Sequence, residues 1–199
     1  MNDRRLRNKE RTVQEVLTAA TYLFSAKGLH GTSIRDIEKV SGVSKGLIMH
    51  HFVSKENLYA SVQDQLNQEY IAWMAAQRET SKNLLDSVEK AIEGSLSYLQ
   101  ANPEFRRINL WSYLEGQRQT TDLEKRFTAS LIAAMRTGQQ EDLVQKDIKA
   151  FVLPFIIRGA IDYWIRGESL REKLLVEDQQ EEQISVQDFV EALLRFVLK

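Results

Sequence analysis

Between Ser33 and Lys55 the chain gathers side chains suited to holding an anion or the polar edge of a flat ring. Arg35, Lys45 and Lys55 carry N–H donors on positive charges, Ser33 and Ser44 carry hydroxyls, and His50 and His51 add ring nitrogens that donate or accept. Charge-assisted hydrogen bonds from such groups hold phosphate, and a lysine reaches O6 or N7 of guanine. Other chemistries fit poorly. The three histidines all fall within the first 51 residues, and no Gly-x-Ser-x-Gly, P-loop or dinucleotide fingerprint occurs, so no enzyme is expected. Adjacent histidines on a helix point about 100° apart, so His50 and His51 do not share an ion easily, and His30 lies in a turn. No metal site and no cofactor are expected. With no cysteine there is no disulfide, thiol nucleophile or cysteine zinc site.

These side chains need a frame, and the segment Thr32–Tyr59 supplies one. Ser33, with Asp36 three residues on, is a capping box that starts a short helix whose inner face is Ile34, Ile37 and Val40. Gly42 sits in the turn, where positive φ is often required, and Val43 plugs the gap. Ser44 caps a second short helix running to about His51, with Ile48 and Phe52 inward. Ser54 caps a third with Leu58 and Val62 on its packing side. Two short helices around a glycine turn read as a helix-turn-helix, a shape that sets one helix into the DNA major groove.

The rest of the chain reads as helix. Two prolines and nine glycines leave few breakers, and 43% hydrophobic residues suffice for a core. A first helix is predicted from about Lys9 to Lys27, with Val13, Val16, Leu17, Ala20, Leu23 and Phe24 on one face. Gly28 and Gly31 end it. The helix after Ser54 extends to about Arg78. Amphipathic stretches follow near 82–100, 103–117, 121–137, 147–166 and 186–198, with Asn102-Pro103 and Ser185/Asp188 as start signals. Residues 167–185 read as a mobile loop with a helical piece near Leu170–Val176 and an acidic end. No strand-like alternation or internal repeat is visible. Ten Lys/Arg against six Asp/Glu in residues 1–60, and seventeen against twenty-two in 61–199, put the positive charge beside the helix-turn-helix. The charged N-terminus has no apolar core, so it is no secretory signal; it is either a solvated tail or a DNA-contacting arm. No apolar run approaches a membrane span, so a cytoplasmic protein without membrane contact is expected.

The segment resembles the TetR family of bacterial transcriptional regulators. The resemblance rests on Phe24, Gly28 to Ser33, Ile37, Gly42-Val43-Ser44, His50-His51-Phe52 and Ser54-Lys55-Glu56-Asn57-Leu58, about fifty residues with specific spacing. It implies an all-α fold: a three-helix helix-turn-helix domain over 1–54 and a helical ligand-binding and dimerisation domain over 55–199. It implies DNA contact by Ser33, Arg35, Ser44, Lys45, Gly46, Leu47, Met49, His50, His51 and Lys55, the last matching the family's phosphate-contacting lysine. Leu47 and Met49 stand where the family usually has threonine and tyrosine. Neither donates to phosphate, though Leu47 suits a thymine methyl.

Function in the remaining residues is carried by the resemblance. An effector pocket would draw on Trp73, Tyr98, Phe105, Asn109, Trp111 and Phe127, with Arg158 and Asp162 as polar groups that would otherwise pair at i, i+4. The helix near Phe151 is apolar on two sides. One side has Phe151, Phe155 and Tyr163, and the last helix offers Phe189, Val190, Leu193 and Val197. These stripes are the candidates for a dimer interface, the alternative being the interior of a monomeric bundle. The resemblance implies a homodimeric repressor released from a palindromic operator on double-stranded DNA by a small-molecule effector. The alternative is a DNA-bound adaptor that recruits a protein partner and senses no small molecule.

Overall fold

The computed structural model describes residues 2–177 and 184–199, and the regular structure within them is all α-helical. In chain order the helices are α1 (Asn2–Lys27), α2 (Ile34–Ser41), α3 (Lys45–Phe52), α4 (Lys55–Glu79) and α5 (Leu84–Ala101). They continue with α6 (Pro103–Leu114), α7 (Asp122–Gln140), α8 (Leu153–Arg166), α9 (Glu168–Glu177) and α10 (Val186–Val197). The chain forms two compact units, one of residues 1–69 and 102–121, the other of residues 70–101 and 122–199. Among the described residues no helix is long and apolar enough to cross a membrane.

The first unit is built on α1. Val16, Ala20, Leu23 and Phe24 recur at helical spacing and are buried against Ile37 of α2, Ile48 and Phe52 of α3, and Leu58, Tyr59 and Val62 of α4. Ile108 of α6 belongs to the same core, so this interior reaches beyond residues 1–54. Phe24 and Tyr59 meet edge to face with ring centroids 4.9 Å apart, and the Tyr59 hydroxyl donates to the Ile108 carbonyl at 3.3 Å. Burial, with the Glu115 charge as a lesser cause, pushes the Tyr59 hydroxyl pKa far up, so it stays a neutral donor.

The second unit packs α8 against α5 and α7, with α10 also on α5. Its interior includes Ile92, Leu96, Ile132, Leu153, Ile161 and Val190. An isolated antiparallel bridge joins Val144 to Leu198, with Gln145 N donating to Val197 O at 2.9 Å and Lys199 N to Leu143 O at 3.1 Å.

Several boundaries differ from the sequence reading. α1 begins at Asn2 rather than near Lys9, because its charged first turns contain no Gly or Pro to stop a helix. α6 ends at Leu114 rather than Gln117. Gly116 takes φ +65°, and Gly116 N and Gln117 N donate to Tyr113 O (3.3 Å) and Ser112 O (2.8 Å), a Schellman closure. α8 begins at Leu153 rather than Asp147. Pro154 has no N–H and clashes with the carbonyl four residues back, so it is admitted only in a first turn. Before it, Gln139 Nε2 spans the connection to Gln145 O (2.6 Å) and Ile148 O (2.7 Å). The helical piece expected near Leu170 is a full helix, α9, while the acidic residues 178–183 lie outside the described residues.

Candidate nucleic-acid interface

Each short helix of the motif is closed by its own side chains. At α2, Ser33 N donates to Asp36 Oδ2 at 3.0 Å and Asp36 N to Ser33 Oγ at 3.2 Å, the expected capping box. The Ser33 hydroxyl and amide hold the Asp36 carboxyl below its ordinary range. This box uses two of the amides at the helix start that suit phosphate, leaving the exposed Arg35 side chain as the main anion donor there. Gly42 closes α2 with φ +72° and donates to Glu38 O.

The start of α3 is tied twice. Ser44 Oγ accepts from Leu47 N at 3.4 Å, and Glu38 Oε1 reaches across the turn to accept from Lys45 N at 2.8 Å. Glu38 is a tie the sequence did not reveal, since it spans seven positions through a turn. Below, Ile48 (0% exposed) and Phe52 anchor the helix, burial worth about 1.5–3 kcal/mol for each such side chain. Away from the core Gly46, Leu47 and His50 are exposed, Ser44 and Lys45 are exposed at the helix start, and Met49 and His51 are half-buried at the flanks. A Cβ on Gly46 would meet nothing within 4 Å, so the backbone there is open to close approach. The His51 imidazole lies below its usual pKa because partial burial disfavours the cation, with His50 and Lys9 adding like charge.

Lys55 has a different position from the one expected of a phosphate contact. It is half-buried, and its Nζ donates to Leu29 O at 2.8 Å and Thr32 O at 2.9 Å, satisfying carbonyls of the α1–α2 turn. The same turn is held from α6. Glu115 Oε2 accepts from Leu29 N at 2.9 Å and Oε1 from His30 N at 3.1 Å. Buried Thr32 completes the turn by donating to Gly28 O at 2.8 Å. Gly28 is required there twice over: its φ is +70°, and a Cβ would stand 2.6 Å from Glu115 Oε1.

α3 ends in a strained turn. Val53 has φ +65° and ψ −46°, and Ser54 N donates to Phe52 O at 2.7 Å, closing a γ-turn of positive φ around a β-branched residue. Its side chain is exposed.

The pocket candidates are drawn from both units. Phe105, Asn109 and Trp111 belong to the first unit. There Phe105 is core, Asn109 Nδ2 turns back to Phe105 O at 2.8 Å, and Trp111 Nε1 donates to Ser25 O at 3.3 Å. In the second unit Tyr98 and Phe127 lie 5.2 and 6.5 Å from the Tyr70 ring, Trp73 is 6.1 Å from Tyr98, and the Arg158 guanidinium is 5.4 Å over Tyr70. Asp162 pairs with Arg166 rather than Arg158, as an acid prefers the base four residues on over the one four residues back. Among the described residues no group of three metal-ligating side chains converges.

The two-sided α8 is resolved as one buried and one open face. Leu153, Ile161 and Ile165 are buried, while Phe151, Phe155 and Tyr163 are 56, 53 and 67% exposed. Of the α10 candidates, Val190, Leu193 and Val197 are buried, and α10 packs on α5, which removes them from any surface a second copy would touch. Phe189 stacks on Trp164 at 4.4 Å.

The matches to known proteins agree with this arrangement. Residues 16–62 match the bacterial regulatory proteins of the tetR family, and residues 92–195 the tetracyclin repressor-like C-terminal domain. The chain belongs to the TetR family of DNA-binding transcriptional regulators. The regulator RutR of Escherichia coli is 33% identical over 101 residues, 51% of this chain and 47% of RutR, so the chain spans about half that relative's length. The regulator TtgR of Pseudomonas putida is 25% identical over 171 residues, covering 78% of this chain and 81% of TtgR. A TetR family transcription regulator from Marinobacter aquaeolei superposes with TM-score 0.75 at 16% identity, covering 100% of this chain and 99% of that one. The ketosteroid transcriptional regulator KstR2 of Mycobacterium tuberculosis gives 0.66 at 18%, covering 94% and 95%. These structural likenesses show the fold.

Proposed function

We propose that this regulator is a homodimeric repressor that reads a palindromic operator with α3 and leaves it when a small molecule binds the second unit. The observation that carries the DNA-reading part is the division of α3: Ile48 and Phe52 are sunk in the core while Lys45, Gly46, Leu47 and His50 stand exposed on a doubly tied helix. A helix so held keeps its reading face fixed, and Lys45 and Arg35 supply base and phosphate contacts.

Dimerisation is supported by the open face of α8. Phe155 and Tyr163 of α8 and Phe151 just before it are large and exposed, and the rings of Phe151 and Phe155 lie 5.5 Å apart. An apolar patch of this kind marks an interface. For the effector the Tyr70 cluster is the candidate region, where the exposed Arg158 guanidinium lies over the Tyr70 ring and would supply charge to a ligand. An effector acts only through its different affinity for the DNA-competent state and the other.

Selection of bound duplexes from a random pool tests the reading. It calls for two inverted half-sites related by about one helical turn. A screen for small molecules that release the selected duplex then tests the effector arm, and recovery of unrelated sequences alone would defeat the operator claim.

A further inference from the structure

We infer that Leu47 reads a thymine through its C5 methyl group, making an apolar contact part of this protein's operator code. The inference rests on α3 being the reading helix. Three observations carry it. First, Leu47 is the large apolar side chain that the outer face of α3 leaves open, 40% exposed between Lys45 and His50. Second, it lies outside the hydrophobic core of its unit. Among the described residues, the partly buried apolar side chains packed against the core are Val13, Leu17, Ile34 and Leu66. Leu47 is absent from that group, while its neighbour Ile48 is fully buried and anchors the helix. Third, the backbone at Leu47 is fixed, because Leu47 N donates to Ser44 Oγ and to Ser44 O.

Geometry on the helix sets which partner is reached. With about 100° per residue, His50 and Gly46 lie opposite Ile48 and Phe52, and Leu47 stands roughly 60° to one side. The bare Gly46 backbone beside it lets the helix come close to a groove floor. In the major groove the apolar group that a base pair presents is the thymine C5 methyl. A branched aliphatic side chain gains there by removing methyl and leucine surface from water, and it gains nothing at cytosine, which presents a bare C5 edge.

The test uses the full-length protein and a duplex chosen by random-pool selection. Each thymine of a half-site is replaced in turn by deoxyuridine, which deletes the methyl and keeps the base pair. Binding is read by fluorescence anisotropy. One position per half-site is expected to weaken binding about fourfold, the value of one buried methyl-sized group. Leu47→Ala should bind the thymine and deoxyuridine duplexes equally, so that the two changes are not additive. Leu47→Met, which keeps an apolar side chain, should retain part of the difference. A thymine-free half-site, a deoxyuridine scan with no effect on the native protein, or an equal effect in Leu47→Ala would each overturn the inference while leaving the regulator reading intact. Failure to select any sequence would instead defeat that reading and this inference with it.

Discussion

The Glu115 carboxylate at the end of α6 accepts a hydrogen bond from Leu29 N at 2.9 Å, across 86 positions of sequence. Its second oxygen accepts from His30 N, and Lys55 Nζ donates to Leu29 O from the other side, so the α1–α2 turn is gripped through its donors and its acceptors. The position of α2, and through it of α3, therefore depends on the end of α6. Glu115→Ala should destabilise the first unit by about 1.5–3 kcal/mol, the range for hydrogen bonds to a charged group. Hydrogen exchange at Leu29 and His30 reports it directly: their protection should fall in the variant, and unchanged protection would remove Glu115 from this role.

Lys55 separates two roles that look alike in a DNA-binding assay. Held on two carbonyls, it should act on folding first. Lys55→Ala should lower stability by about 1–3 kcal/mol in the absence of DNA, because Leu29 O and Thr32 O lose their donor. Thermal unfolding of the free protein decides. An unchanged midpoint, with the slope of log affinity against log salt reduced by about one, would make Lys55 a phosphate contact instead.

Val53 stores strain at the exit of α3. At φ +65° a β-branched side chain costs about 1–3 kcal/mol, and glycine gives up part of that gain in chain entropy. Val53→Gly should thus stabilise the protein by about 1 kcal/mol in urea denaturation. A loss of stability would show that the exposed valine contributes contacts that outweigh its backbone.

His51 should give DNA binding a pH dependence. Its pKa lies below 6.5 in the free protein, chiefly through partial burial, and phosphate beside it would raise it. Binding then takes up a proton, so affinity should rise as pH falls from about 7 to about 5.5. The sign for folding is opposite. The unfolded chain binds this proton more readily, so the contribution is intact above pH 6.5 and declines as pH falls below it. Anisotropy titrations at both pH values should show the rise in the native protein and a smaller one in His51→Gln. Parallel curves would assign the proton elsewhere.

Much of the architecture is local, and local signals were legible. The capping boxes at Ser33/Asp36 and Ser185/Asp188 both form, Pro103 opens α6, and the inward pair Ile48/Phe52 fixes the outward face of α3. Asn102 stands at the expected start of α6, yet its side chain makes no cap hydrogen bond. The sequence was least informative where partners are distant. Periodicity does not indicate that Glu115 meets Leu29, that Lys55 turns inward, or that Glu38 caps α3, since each depends on how helices pack. Val190, Leu193 and Val197, expected at a dimer interface, are buried within their own unit, because an apolar stripe has the same pattern whether its own unit or another chain covers it. Two local rules outweigh periodicity and spacing: Pro154 forbids a helix running through from Asp147, and Asp162 favours Arg166 over Arg158.

The central claim is that the exposed face of α3 reads sequence. Its most direct test is the affinity for a selected palindromic duplex against a scrambled one, measured by anisotropy between about 50 and 200 mM salt. The predicted result is binding at least about a thousandfold tighter to the selected duplex, with both affinities falling steeply as salt rises. Equal affinity for the two duplexes across that range would contradict it.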